Sequence, residues 1–163
     1  MFVSSVKYLG YIVSREGIAP DPDKIQAVVS WPVPKSLSEV RSFTAMCSYN
    51  RNHIRGFAEI ARPLYDLMKK GRQFEWRDSQ QGAFDQLKKC LVSAPILASP
   101  IDEGVYTLDT DASSHSLGAV LNQTQNGIMK VISYASRILQ PSERSYCSVR
   151  LELLGLIFGL KKI

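Results

Sequence analysis

The spacing of apolar residues changes near residue 100, and this change most constrains the fold. Before that point, apolar residues recur at helical intervals between cap and break signals. After it, residues 105–111 alternate like a strand, and Asn126-Gly127 is a strong signal for a two-residue turn between the further strands predicted at 117–123 and 128–137. The sequence therefore predicts an α+β fold in which a helical part precedes a small antiparallel sheet.

Local signals divide the helical part further. Residues 2–13 are rich in β-branched and aromatic residues, which predicts a strand or hairpin. Asp21 before a proline is an N-terminal helix signal, and Ser36 with Glu39 forms the pattern of a capping box. Further helices are predicted at 57–70, at 78–94 and, after the strands, at 146–163.

Composition limits the classes of protein that fit. With 45% apolar and 21% charged residues, the chain is expected to fold as a globular protein. No apolar run reaches the roughly 18 residues of a membrane span. The first residues lack the layout of a secretion signal, so an intracellular protein without a membrane segment is expected. The cysteines Cys47, Cys90 and Cys147 stand far apart, which favours buried reduced thiols over a zinc site.

The net charge of +5 is concentrated in the first part of the chain. Residues 1–75 carry 11 Lys and Arg against 7 Asp and Glu, whereas residues 76–163 carry 9 against 8. This excess fits a segment that faces nucleic acid. An ordinary solvated helical surface is the alternative, and charge alone favours it.

Two acidic residues are candidate metal ligands. Asp111 ends a predicted strand, and Glu152 lies in the apolar final helix, where an unpaired carboxylate would be costly to bury. Carboxylates suit Mg²⁺, and metal-assisted phosphodiester cleavage needs several of them. On spacing alone, a turn-capping Asp111 and a solvent-facing Glu152 are the simpler interpretation. Asp109 shares the strand face of Asp111 and is either another ligand or a solvated carboxylate.

Two stretches are candidate nucleic-acid contacts. Lys7-Tyr8-Leu9-Gly10-Tyr11 places aromatic side chains around a glycine, and glycine permits close approach of a ligand. Its alternative is a plain turn with one core tyrosine. Residues 49–55 carry polar and cationic groups that suit phosphates, with a solvated face as the alternative.

Four groups of motifs follow one another along the chain. They are Tyr8-Leu9-Gly10-Tyr11-Ile12-Val13-Ser14 with Asp21-Pro22-Asp23-Lys24-Ile25, then Trp31-Pro32-Val33-Pro34 with Val40-Arg41-Ser42-Phe43 and residues 57–64, then Phe74-Glu75-Trp76 with Pro95-Ile96-Leu97, and finally Thr110-Asp111-Ala112-Ser113 with residues 133–137 and Glu152-Leu153-Leu154. In this order they resemble the palm end and primer grip, the thumb, the connecting segment and the start of the RNase H domain in reverse transcriptases of gypsy-class LTR retrotransposons.

The resemblance implies four regions. They are a palm-end or primer-grip-like hairpin at 1–20, a helical thumb-like segment at 21–75, a connecting segment at 76–100, and a truncated RNase H-like domain of three strands and one helix at 101–163. It also implies that Asp111 and Glu152 are catalytic and bind Mg²⁺. Contacts to an RNA–DNA hybrid or a DNA duplex are implied for Tyr8, Leu9, Gly10, Tyr11, Arg41, Tyr49, Arg51 and Arg55.

The function implied is that of a retroelement reverse transcriptase and RNase H fragment that binds duplex as part of an RNA-directed DNA polymerase. The sequence contains no YxDD turn, and the later RNase H aspartates would follow residue 163, so the chain is not expected to be catalytic alone. The alternative is a domesticated retrotransposon-derived protein-interaction module. Because strand 105–111 would lack one neighbour, its exposed edge is expected to recruit a second copy or a protein partner.

Overall fold

The computed structural model describes residues 4–163, in which two three-stranded antiparallel sheets flank a group of helices along the chain. In chain order the elements are β1 (Ser5–Tyr8), β2 (Tyr11–Ser14), β3 (Gly17–Pro20), α1 (Pro22–Val29), α2 (Leu37–Tyr49), α3 (Phe57–Leu67), α4 (Asp78–Val92), β4 (Tyr106–Ala112), β5 (Ser116–Gln125), β6 (Ile128–Ile138) and α5 (Ser148–Lys162). The mixed helix-and-sheet fold predicted from the sequence is confirmed. The first two residues of the strand predicted at 2–13 lie outside the described residues.

The helix starts that the sequence predicts are present as side-chain caps. The Asp21 carboxylate accepts a hydrogen bond from the Asp23 N–H at 3.1 Å, which caps α1. The Ser36 hydroxyl accepts one from the Glu39 N–H at 3.3 Å, which caps α2. In a capping box the Glu39 carboxylate would accept a hydrogen bond from the Ser36 N–H. Here it accepts one from the preceding residue, the Lys35 N–H, at 2.7 Å.

A short backbone contact links the two sheets. Ile18 of β3 and Leu97 exchange two backbone hydrogen bonds, with N···O distances of 2.7 and 2.9 Å. The next residue, Ala98, donates its N–H to the Val131 carbonyl of β6 at 2.8 Å. Leu97 and Ala98 therefore connect β3 to the second sheet. No short-range sequence signal indicates this pairing.

The apolar residues form two separate cores. The larger core lies among α1 to α4, and its centre includes the contact between the Phe43 and Phe84 rings, whose centroids are 4.5 Å apart. The smaller core lies between the second sheet and α5 and consists of Leu117, Leu139 and Leu151 with partly buried neighbours. The helical part and the second sheet are thus stabilised largely by different sets of side chains.

The second sheet has the strand order β4-β5-β6, so within residues 4–163 strand β4 pairs only with β5. The predicted open edge of this strand is therefore present. Helix α5 lies very close to β4, because a Cβ placed on Gly159 would be 3.1 Å from the Leu108 side chain and 3.2 Å from that of Thr110. None of the helices described is both long and apolar enough to cross a membrane.

Several helix ends and the burial of the cysteines differ from the predictions, since α4 ends at Val92 and α5 runs from Ser148 to Lys162. Helix α3 ends at Leu67 and not at residue 70, and Gly71, with φ of 81°, lies in the turn that follows. Of the cysteines, only Cys47 is fully buried, whereas Cys147 is exposed just before α5. Burial raises the pKa of the Cys47 thiol to about 12, which keeps it protonated at neutral pH.

Candidate functional site

Asp111 projects from the face of the second sheet that lies opposite α5. The side chains of Leu108 and Thr110 contact α5 at Gly159, and side chains alternate along a strand. Asp109 and Asp111 therefore share the other face. Asp109 is held there, because its carboxylate accepts a hydrogen bond from the Asn122 amide at 2.7 Å. Asp111 is exposed and makes no side-chain hydrogen bond within the described part of the chain.

Glu152 is also exposed, which corrects the physical reason for singling it out. The sequence suggested a carboxylate in a buried apolar helix, but only a narrow stripe of α5 packs on the sheet. The outward-facing apolar residues of α5, each at least 42% exposed, are Val149, Leu153, Leu156, Ile157 and Leu160. Burial therefore imposes no cost on the Glu152 carboxylate that a cation would have to offset.

The backbone geometry limits how Glu152 and Asp111 can meet. One turn beyond Glu152, a Cβ placed on Gly155 would lie 3.8 Å from the Asp111 carbonyl oxygen, so this part of α5 passes directly over the end of β4. Glu152 approaches from the α5 side of the sheet, and Asp111 projects from the other side. The described residues therefore place these two side chains on opposite sides of the β4 backbone.

Arg55 and Asp111 line the same cavity. This cavity has a volume of about 130 Å³, and Asp109 also lines it. Arg55 is exposed and directly precedes Gly56, whose φ of 68° begins α3. No ion pair within residues 4–163 joins Arg55 to either aspartate. One arginine from the helical part and two aspartates from the sheet thus line a single cavity, which we call the Asp111 groove.

The N-terminal hairpin folds onto the end of α2. The turn between β1 and β2 has positive φ angles at Leu9 and Gly10, of 47° and 77°. The Tyr11 ring stacks on the Tyr49 ring with centroids 5.3 Å apart, and its hydroxyl donates to the Tyr49 carbonyl at 2.8 Å. In return, the Tyr49 hydroxyl donates to the Leu9 carbonyl. The structure therefore brings Leu9, Gly10, Tyr11 and Tyr49 together in what we call the hairpin cluster, while Tyr8 is exposed beside them.

Lys24 also belongs to the hairpin cluster, although its position in the sequence gives no sign of this contact. Its ammonium group lies 5.2 Å from the centre of the Tyr49 ring, and a Cβ on Gly10 would come within 2.7 Å of it. A side chain at position 10 would therefore displace the end of the flexible Lys24 side chain, and the φ of 77° at this position itself favours glycine. The contact depends on how the hairpin folds back onto α1 and α2, so no local pattern could have indicated it.

The predicted cations on and after α2 differ in their availability. Arg51 donates a hydrogen bond to the Ser136 carbonyl of β6, and its guanidinium lies 5.5 Å from the centre of the Phe57 ring. Arg51 therefore ties the helical part to the second sheet. Arg41 and Arg55 are exposed and remain available to a ligand.

The buried His53 ring is expected to make the free energy of unfolding depend on pH. The ring is buried, stacks on Tyr11 and lies with Nδ1 3.2 Å from the Pro95 carbonyl oxygen. Burial lowers the pKa of His53 below its usual value of 6.5. The unfolded chain therefore binds more protons than the folded one as the pH falls below that value. We expect the free energy of unfolding to decrease from pH 7.5 to pH 5.5, and to decrease less in His53→Gln.

Urea unfolding of both proteins at the two pH values measures this difference. His115→Gln is the matched control, because His115 is exposed. A pH dependence in His53→Gln that equals that of the unsubstituted chain would contradict the assignment of the effect to His53.

Comparisons with known proteins agree with the geometry. A family described as the RNase H-like domain found in reverse transcriptase matches residues 76–163. The retrovirus-related Pol polyprotein from transposon gypsy of Drosophila melanogaster is 37% identical over 99% of this chain and 16% of its own length. The foamy viral protease-reverse transcriptase is similar in fold. Its complex with RNA/DNA hybrid has a TM-score of 0.82 at 22% identity, covering 98% of this chain and 22% of that one. Its complex with dsDNA has a TM-score of 0.85 at 21% identity, covering 99% and 34%.

The chain spans about a sixth of the length of the curated relatives it matches, with 17% and 16% covered in the first two. The activities of those whole proteins therefore do not transfer to this chain directly. The solved structures, at 22% and 21% identity, support the fold. The four region boundaries predicted from the sequence are untested and stay predictions.

Proposed function

Because the chain belongs to the family of RNase H-like domains found in reverse transcriptases and is related to retrotransposon Pol polyproteins, we propose that it is a nucleic-acid-binding piece of such a polymerase. Its ligand would be an RNA–DNA hybrid or a DNA duplex, held by the hairpin cluster around Tyr49 and by the Asp111 groove. The observation that carries this proposal is the shared cavity of Arg55 and Asp111. It joins a cation suited to a phosphate with the carboxylate that the family resemblance marks as catalytic.

RNase H-like domains generally use Mg²⁺, but the residues described here do not fit a complete metal centre. Within residues 4–163 no group of three or more His, Cys, Asp or Glu side chains converges. Asp111 and Glu152 are exposed and lie on different faces of the sheet. We propose that they are two members of a larger ligand set, and that the chain alone binds duplex without cleaving it.

The test is a binding titration of a fluorescently labelled RNA–DNA hybrid, followed by anisotropy at several salt concentrations. Arg55→Ala is expected to weaken binding about 5-fold and to reduce the slope of log affinity against log salt by about one, because one phosphate contact is lost. The matched control is Arg72→Ala, since Arg72 is exposed and lies outside both the groove and the hairpin cluster.

Two outcomes would contradict the proposal. Unsubstituted protein that fails to bind hybrid and duplex at low salt would remove the proposed function. Equal losses in Arg55→Ala and Arg72→Ala would show that general charge, and not the Asp111 groove, drives binding. Mg²⁺-dependent cleavage of the hybrid that Asp111→Asn abolishes would contradict the absence of catalysis.

The second candidate function is a protein-interaction module. It is favoured by the edge of β4, which is unpaired among the residues that the structure describes, together with the exposed apolar face of α5, where Leu160 is 69% exposed. Exposed strand edges and apolar patches of this kind commonly bind another polypeptide. Light scattering on the sample used for the titration separates the two candidates, because a dimer that does not bind the hybrid would favour this one.

A further inference from the structure

We propose that a second anion-binding site lies between α3 and the turn that joins β4 to β5, and that it takes a backbone phosphate of the bound duplex. This inference rests on the proposed function and extends it to a surface with no assigned role. The site is a cavity of about 200 Å³. The side chains that argue for it are Arg62, Lys69, His115 and Arg144, with Asp66 and Tyr65 beside them.

The charge of this cavity is positive after its ion pairs are taken into account. Arg62 pairs with Glu59 at 3.3 Å, and Lys69 pairs with Asp66, so these two cations are largely balanced. Arg144 has no ion pair among the described residues. It therefore leaves an excess positive charge in the cavity.

The neighbouring acid does not neutralise Arg144. Glu143 directly precedes it, but the two carboxylate oxygens of Glu143 accept bonds from Arg137 at 2.6 and 2.9 Å. One of these oxygens also accepts the Gln140 N–H at 2.7 Å. The bidentate pair with Arg137 holds the pKa of Glu143 below its usual range. Glu143 is thus committed to Arg137, and Arg144 is available to an external anion.

His115 adds a directional group to the same cavity. Its Nδ1 lies 2.7 Å from the Ser114 hydroxyl, which leaves Nε2 as the ring nitrogen that an incoming ligand can meet. The turn that carries it is closed by the Ser113 hydroxyl, which accepts the N–H groups of His115 and Ser116 at 3.1 and 3.0 Å. The position of His115 is therefore set by its own turn.

The distance between the two sites favours a polymeric anion. Arg55 lies just before the start of α3, whereas Arg62 and Lys69 lie along and just beyond its second half. At 1.5 Å per residue, α3 separates the two sites by roughly 15 Å. This equals about four base pairs of a duplex, at about 3.4 Å per step on each strand. A duplex lying along α3 could therefore place one phosphate in each site, whereas a small anion could not occupy both.

The first test repeats the hybrid titration with Arg144→Ala. We expect affinity to fall about 5-fold and the salt slope to fall by about one. The Arg55→Ala and Arg144→Ala double variant should lose about the product of the two separate effects. Arg150→Ala is the matched control, because Arg150 is exposed on α5 and lies outside this cavity. Its affinity should stay within about 2-fold of the unsubstituted chain.

The second test uses inorganic phosphate as the probe and NMR as the readout. The chain has 2 histidines, so the imidazole signals can be assigned with His115→Gln. Phosphate at constant ionic strength should shift the His115 signals and leave those of the buried His53 in place. If hybrid binds and Arg55→Ala weakens it, but Arg144→Ala matches Arg150→Ala and phosphate does not move His115, this inference is overturned while the proposed function stands.

Discussion

Replacing Phe43 with alanine is expected to lower the free energy of unfolding by about 3–5 kcal/mol, the usual cost of deleting a fully buried aromatic ring. Phe43 has 0% of its surface exposed. Its ring contacts Phe84, with centroids 4.5 Å apart, and meets Trp31 edge-on at 6.1 Å. The alanine variant would leave a cavity where α2 and α4 meet, in the middle of the larger core.

Urea denaturation followed by circular dichroism measures this loss. Leu160→Ala is the control, because it also deletes a large apolar side chain but from an exposed position on α5, and it should change stability by less than about 0.5 kcal/mol.

The separation of the apolar residues into two cores leads to a second expectation. Hydrogen exchange in Phe43→Ala should accelerate more in α2 and α4 than in β5. Equal destabilisation by both substitutions would show that Phe43 is not central to the core.

The elements that the sequence predicted well are those set by neighbouring residues. The Ser36 cap, the Asp21 cap and the Asn126-Gly127 turn all operate within about four residues, and the structure contains each of them. The turn has φ angles of 53° and 77°, which is the reason for its Asn-Gly sequence. Local chemistry therefore determined where the helices and the second sheet begin and end, to within a few residues.

The features that the sequence could not predict are contacts between distant segments. The sequence predicts that Arg51 contacts a phosphate, and nothing in it indicates that Arg51 also donates to the Ser136 carbonyl of β6 and so links the two parts. Lys24 belongs to the motif at 21–25, but nothing in the sequence indicates that it lies over the Tyr49 ring. A charged side chain near a surface can bind a ligand or a distant carbonyl, and only the tertiary arrangement decides between them.

Glu152 shows why an apolar helix does not by itself predict burial. The sequence of α5 is apolar on most sides, which suggested that the whole helix is enclosed. In the structure only Leu151, Gly155 and Gly159 are buried against the sheet. Two of these three are glycines, so α5 approaches β4 closely with a narrow face and leaves its larger apolar residues exposed. The roles of Asp111 and Glu152 thus rest on the family resemblance and not on burial.

Gly17→Ala is expected to lower the free energy of unfolding by about 3–5 kcal/mol, because it disrupts the backbone contact that links the two sheets. Gly17 has a φ of 134°, a region open essentially to glycine alone, and a Cβ there would lie 2.1 Å from the Leu97 carbonyl oxygen. That oxygen accepts the Ile18 N–H, so the clash should break both backbone bonds between Ile18 and Leu97, each worth about 1 kcal/mol. Backbone strain adds a further 1–3 kcal/mol or so.

Gly71→Ala is the control that shows how much of the loss comes from backbone strain alone, without a clash of the new Cβ. Gly71 also has a positive φ, of 81°, but a Cβ there would meet nothing within 4 Å. It should therefore cost only about 1–2 kcal/mol in the same urea titration. Because Leu97 and Ala98 connect β3 to β6, Gly17→Ala should also loosen the hairpin that carries Tyr11, and hydrogen exchange in β2 should rise toward that of an unfolded chain. If Gly17→Ala and Gly71→Ala lose the same stability, the contact between Gly17 and Leu97 does not hold the first sheet in place.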